Sequence, residues 1–106
     1  MQKMIAIVIP VYNEGKNLEI LIPRIFESRK KYKVFVVDDN SLDNTSEILG
    51  KLNKKYKNVI HIKRKAKLGR GSAVIEGFKS AFNNTSCEYF LEMDADLSHD
   101  PKEFPG

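Results

Sequence analysis

Apolar and polar positions along the chain alternate between two periods. MIAIVIP, residues 4–10, is apolar on both faces, as a strand covered on both sides requires. Leu18, Leu21, Ile22, Ile25 and Phe26 then recur at helical spacing, with Asn17 placed as the cap. Pro23 inside that pattern removes a backbone donor and predicts a kink or a helix in two pieces. KVFVV, residues 33–37, predicts a second strand running straight into Asp38-Asp39-Asn40-Ser41. Residues 44–47 read as a capping box opening a helix with Ile48, Leu49 and Leu52 on its apolar side. A third strand is expected at 59–62. A third helix follows at 69–82, with Val74, Gly77, Phe78, Ala81 and Phe82 on one stripe. A fourth strand is expected at 88–93, with Cys87 a small buried residue at its start.

Four strands alternating with three helices predict an α/β fold: a mainly parallel sheet with helices on both faces. In such sheets ligands bind outside the carboxyl ends of the strands. All four predicted ends are polar. Val11-Tyr12-Asn13-Glu14 follows the first strand and Asp38-Asp39-Asn40-Ser41 the second. A basic, glycine-bearing loop from Lys63 to Gly71 follows the third, and Asp94-Ala95-Asp96 the fourth.

Each end admits two readings. The Asp38–Ser41 run is an Asx turn and helix start, or else Asp39 accepts from a base N–H or a ribose hydroxyl. Tyr12 packs on the sheet edge or stacks on a base. Gly69-x-Gly71 permits a tight entry into the helix, or lets backbone amides approach a phosphate. Asp94 and Asp96 stand at i and i+2, which in an extended chain aims both carboxylates at one point. Two such carboxylates repel unless a cation or proton lies between them, and hard oxygen ligands suit Mg²⁺ or Mn²⁺. His61 reads as packing or edge-exposed, and His99 stands on the fringe of the acidic cluster.

Composition narrows the class. The chain has 106 residues, 42% hydrophobic and 30% charged, which fits a single soluble globular domain. A net charge of +4 favours an anionic partner without choosing one. The lysines crowded into residues 51–67 carry no interleaved aromatics and read as a solvated face, so no nucleic-acid partner is expected. The single cysteine, Cys87, excludes an internal disulfide framework and suits a reducing, cytoplasmic compartment. No apolar run reaches the roughly 18 residues of a membrane span. Asn44-Thr45-Ser46 and residues 83–86 match the glycosylation acceptor pattern, a short motif of little weight in such a compartment.

Four segments together resemble the family 2 glycosyltransferases, nearest their dolichyl-phosphate mannose synthase branch: residues 9–14 (IPVYNE), 36–41 (VVDDNS), 67–73 (KLGRGSA) and 93–101 (MDADLSHDP). The resemblance runs the length of the chain in the family's order. It implies a GT-A fold, a three-layer α/β/α arrangement, here as the N-terminal, nucleotide-sugar-binding part. It implies a nucleotide-sugar donor, GDP-mannose or a UDP-sugar, and a divalent metal. By position, Pro10, Tyr12, Glu14, Val37 and Asp39 would line the nucleoside pocket. Asp94, Ala95 and Asp96 would meet the diphosphate, with Asp94 and Asp96 holding the metal. The implied reaction is inverting transfer of a sugar to a polyprenyl phosphate at the cytoplasmic face of a membrane; no catalytic base is assigned. Ser98 stands where this branch often has Gln, and is a weaker third ligand. Family catalytic domains continue well past residue 106, so the acceptor-binding part and the basic residues that clamp the diphosphate are expected to be missing. The expected consequence is an inactive fragment that self-associates through exposed apolar surface. A non-catalytic nucleotide- or partner-binding module is the alternative. A receiver-type domain is disfavoured, because the acids follow the second and fourth strands.

Overall fold

A computed structural model describes residues 4–28, 30–66, 68–84 and 87–96 of the chain. Its elements run β1 (Met4–Val11), α1 (Gly15–Phe26), β2 (Lys31–Asp38), α2 (Thr45–Tyr56), β3 (Val59–Lys63), α3 (Arg70–Asn84) and β4 (Tyr89–Glu92). All strand pairs are parallel, in the order β3-β2-β1-β4. β1 therefore lies inside the sheet, and the strand order reverses beside it.

Period-two alternation explains the layers. Ile5, Ile7, Ile9 and Val11 of β1 pack with Val34 and Val36 of β2 against α1 and α2. Ala6, Val8, Phe35 and Val37 face the other way, toward Ala73 and Ala81 of α3. On the side that receives α3, β1 contributes the smaller Ala6 and Val8, and the helix comes close there. A Cβ on Gly77 would meet Val8 Cγ1 at 2.3 Å and Val37 Cγ2 at 3.0 Å. Gly15 plays a similar part between α1 and α2, where a Cβ would meet Ile48 Cδ1 at 2.9 Å.

Local expectations are corrected in four places. Asn17 does not cap α1. The helix starts two residues earlier, and the amide of Gly15 is received by Asp43 Oδ2 from the loop before α2, at 3.2 Å. Pro23 does not split α1, which runs unbroken to Phe26; its ring lies in the last turn, where the Glu27 amide still reaches the Pro23 carbonyl. The capping box does not form either. Asn44 makes no side-chain cap bond, and Asp43 Oδ1 receives both the amide and the hydroxyl of Thr45 instead. On α3, Phe82 is 64% exposed while Ala73 takes an inner position, in line with Gly77, where the helix comes closest to the sheet. Cys87 precedes β4 and is half-buried. The helix start expected after Asp96, together with Ser98 and His99, lies outside the described residues.

Candidate functional site

The strand-order reversal at β1 puts a cleft of about 290 Å³ at the carboxyl ends of the sheet. Pro10, Val11, Tyr12 and Glu14 line it from the end of β1, and Asp39 from the end of β2. Gly69, Arg70 and Ala73 contribute from the start of α3, and Asp94, Ala95 and Asp96 from beyond β4. Seven of the eight expected donor-site residues thus share one cavity. The eighth, Val37, does not reach it: its side chain is fully buried under α3.

The two adjacent aspartates at the end of β2 diverge, as neighbours in an extended chain do. Asp38 turns to the α1–α2 side. Its Oδ1 receives the amide and hydroxyl of Ser41 at 2.8 and 2.5 Å, and its Oδ2 lies 3.0 Å from His61 Nε2. His61 of β3 is thereby accounted for as a packing partner. Asp39 turns to the α3 side and is almost wholly buried. Its Oδ1 receives Arg64 Nε at 2.5 Å, and its Oδ2 receives the amides of Leu68 and Gly69 at 3.1 and 3.0 Å. Burial alone would raise the Asp39 pKa; the Arg64 guanidinium and those two amides outweigh it and hold the carboxyl below its ordinary range.

Arg64 was hidden in the lysine-rich stretch, yet it is 5% exposed. Besides Asp39 it donates to Ser72 Oγ at 2.8 Å and to the Gly69 carbonyl at 3.1 Å, and it lies 3.5 Å from Glu76. Its role is to fasten the glycine-bearing loop and the first turns of α3 to the end of β2. Gly69, at φ +99°, makes the sharp entry into that helix. The amides of Leu68 and Gly69 are spent on Asp39, so they do not face outward to a phosphate.

The rim after β1 is fixed from the neighbouring loop. Asn13, at φ 54°, accepts the amides of Leu42 and Asp43 on its Oδ1 at 2.6 and 3.3 Å, and its own amide reaches Ser41 Oγ at 2.9 Å. Asn residues tolerate this left-handed backbone. The turn presents Tyr12 to the cleft and lets Glu14 Oε1 receive the Tyr12 amide at 3.2 Å. Burial raises the Glu14 pKa; the Tyr12 amide opposes this, and repulsion from Asp96 and Asp94 adds to it.

β4 ends at Glu92, and residues 95–96 form a turn. The simple i, i+2 alternation therefore does not bring Asp94 and Asp96 together. Buried Ala95 anchors the turn, and both aspartates face the cleft from it. Asp94 is engaged by the guanidinium of Arg70, which also holds Glu92. Sequence reading assigned Arg70 no role; the signal was a cation between two glycines at the start of a helix. Among the described residues no three acidic, His or Cys side chains gather as a complete metal cage. Two carboxylates on one rim, close enough to Glu14 to raise its pKa, still fit Mg²⁺ or Mn²⁺, which keep waters and take oxygens from a diphosphate.

Comparison with known proteins places the chain. Residues 6–106 match the family described as Glycosyl transferase family 2. A dolichol-phosphate mannosyltransferase of Pyrococcus furiosus is 44% identical over 95% of this chain and 28% of its own length. An undecaprenyl-phosphate 4-deoxy-4-formamido-L-arabinose transferase of Yersinia enterocolitica is 37% identical over 97% of the chain and 32% of its own. The chain thus spans about a third or less of these relatives. Among solved structures, a mannosyltransferase of Pyrobaculum calidifontis in complex with GDP-Man and Mn²⁺ superposes with a TM-score of 0.78 over 91% of the chain and 28% of its own. At 23% identity it shows the fold alone. The 1–349 segment of TarS from S. aureus, in complex with UDP-GlcNAc, gives a TM-score of 0.76 at 26% identity, over 91% of the chain and 27% of its own.

Proposed function

The chain belongs to glycosyl transferase family 2, and from that premise we propose that its cleft is the donor site for transfer of a sugar from a nucleoside diphosphate to a polyprenyl phosphate. GDP-mannose is the donor we favour, and a UDP-sugar the alternative. The observation that carries this is the convergence of three strand ends and the start of α3 on one cavity, whose lining includes Tyr12 and the carboxylate-bearing Asp94 and Asp96. The relatives' names supply the acceptor class: dolichol phosphate in one, undecaprenyl phosphate in another. Such an acceptor has a lipid tail, which puts the reaction at a membrane surface.

Each residue then has a task. Tyr12 offers its ring to the base, where stacking contributes about 1–3 kcal/mol in single-stranded nucleic acids. Pro10 keeps the end of β1 free of a backbone donor facing the ligand. Asp39 fixes the floor of the nucleoside pocket through Arg64, Leu68 and Gly69, with its carboxylate held ionised. Asp94 and Asp96 would hold Mg²⁺ or Mn²⁺. When bound, that cation would neutralise charge on the departing diphosphate. The phosphate acceptor is already anionic, so the reaction needs no strong general base, and none is assigned.

Titration of GDP and of UDP against the chain, with and without Mn²⁺, tests the reading. Metal-dependent binding of one of them, lost by at least about tenfold in Asp94→Ala, is expected. Binding that ignores Mn²⁺ and this substitution, or no binding, would mark a module of the same fold without a donor site.

A further inference from the structure

The cation that this structure places on Asp94 is a side chain. Arg70 stands in the first turn of α3 and bridges the carboxylates of Asp94, inside the cleft, and Glu92, outside its lining. Its setting is the reverse of Arg64's. Arg64 is 3% exposed at its side chain and is held by four groups, whereas the Arg70 side chain is 55% exposed and its carboxylate partners are 35% and 36% exposed. Exposed pairs of this kind exchange partners at little cost. The loop between β3 and α3 therefore carries a fixed arginine that builds the floor, and the helix start a loosely held one that lines the cleft.

We propose that Arg70 is a positioning residue that competes with the divalent cation for Asp94 and moves to the donor's diphosphate as the cation arrives. The inference rests on the donor-site reading above. A guanidinium and a divalent cation repel each other, so both cannot share one carboxylate favourably. Glu92 remains as a tether that keeps the displaced guanidinium at the cleft edge. Its planar fork would suit two oxygens of a diphosphate held in the cleft that Asp94 lines. The consequence is thermodynamic: metal and nucleotide bind with positive coupling, because the nucleotide receives the group that the metal displaces.

Isothermal titrations of Mn²⁺ alone, of GDP alone, and of each with the other saturating, on native chain, Arg70→Gln, Arg70→Lys and Asp94→Asn, test it. In Arg70→Gln, Mn²⁺ alone is expected to bind about fivefold tighter, and GDP in the presence of Mn²⁺ about tenfold weaker. Arg70→Lys keeps the charge without the fork, and is expected to lose about half of the coupling free energy. A purely structural clamp between α3 and β4 would lower the melting temperature and leave the coupling as in native chain. That result overturns the inference, as does unchanged or weakened Mn²⁺ binding in Arg70→Gln. Should Arg70→Gln fail to fold, Arg70→Lys decides, and native coupling in it overturns the inference. The two readings fail separately. If GDP·Mn²⁺ binding is present and lost in Asp94→Asn while the Arg70 variants behave as native, the donor site stands and the role of Arg70 falls. If no variant and no native chain binds either ligand, both fall.

Discussion

Asp38 and Asp39 show how one residue step decides a role. They are adjacent in sequence, but the strand's alternation sends Asp38 to Ser41 and His61 and Asp39 to Arg64 and the glycine loop. Glu14 carries the sharpest consequence at this scale. Burial and then the neighbouring Asp96 and Asp94 raise its pKa, against the Tyr12 amide. A carboxyl with a raised pKa in the fold binds its proton more tightly folded than unfolded, so its contribution to stability falls as pH rises above the ordinary value of about 4.3. Glu14→Gln removes that loss and keeps an acceptor for Tyr12. It is therefore expected to raise the thermal midpoint near pH 7, with the gain shrinking to nothing by about pH 4. Melting curves across that range check it, and a gain that is flat with pH would contradict the account. The positions of Tyr12, Glu14, Asp94 and Asp96 were legible because they follow apolar strands. Arg64 and Arg70 were not: an arginine among lysines looks solvated until the fold brings a buried carboxylate to it.

At the scale of elements, period counting found every strand and helix, since bulky apolar residues mark them plainly. It misjudged which residue lies deepest in α3, because there the fit is set by smallness. Ala73, Gly77 and Ala81 lie against the sheet, while Phe82 is largely exposed and meets the Phe90 ring at a tilt, with centroids 4.3 Å apart. Helix caps were equally hard to read, because Asp43 caps two helices at once, one of them distant in sequence. Gly77→Ala tests the close approach. Alanine gains about 1 kcal/mol of helix propensity over glycine, but its Cβ would lie 2.3 Å from Val8 Cγ1. Overpacking of this kind costs about 1–3 kcal/mol. The net expected is a loss of stability of up to about 2 kcal/mol in urea unfolding, with weaker nucleotide binding as α3 moves off the sheet. Gly50→Ala is the control: its Cβ would meet nothing within 4 Å, and a gain of about 0.5–1 kcal/mol is expected. Equal effects at the two positions would show that the contact with Val8 does not govern α3.

Over the whole molecule the two sheet edges differ. β3 pairs only with β2 among the described residues, and its edge is flanked by exposed Lys57, Lys63 and Lys65, which resist pairing with another chain. β4 pairs only with β1 there, and its side of the molecule exposes Tyr89, Phe82 and Ile75, the last two on α3. Phe82, near the end of α3, and Tyr89, at the start of β4, lie toward the amino ends of the strands, away from the cleft. Large apolar side chains gathered at an open edge favour association, since burial returns about 25 cal/mol per Å² of apolar surface. The chain on its own is therefore expected to self-associate at micromolar concentration through the α3–β4 edge. Sedimentation velocity measures this directly. Phe82→Glu and Tyr89→Lys should each shift the distribution toward monomer by about tenfold in dissociation constant. Changing Lys63 to Glu on the opposite edge should leave it unmoved. A chain that stays monomeric to about 100 μM, a dissociation constant corresponding to roughly 5.5 kcal/mol of association, would show that this edge is sufficiently protected as it stands.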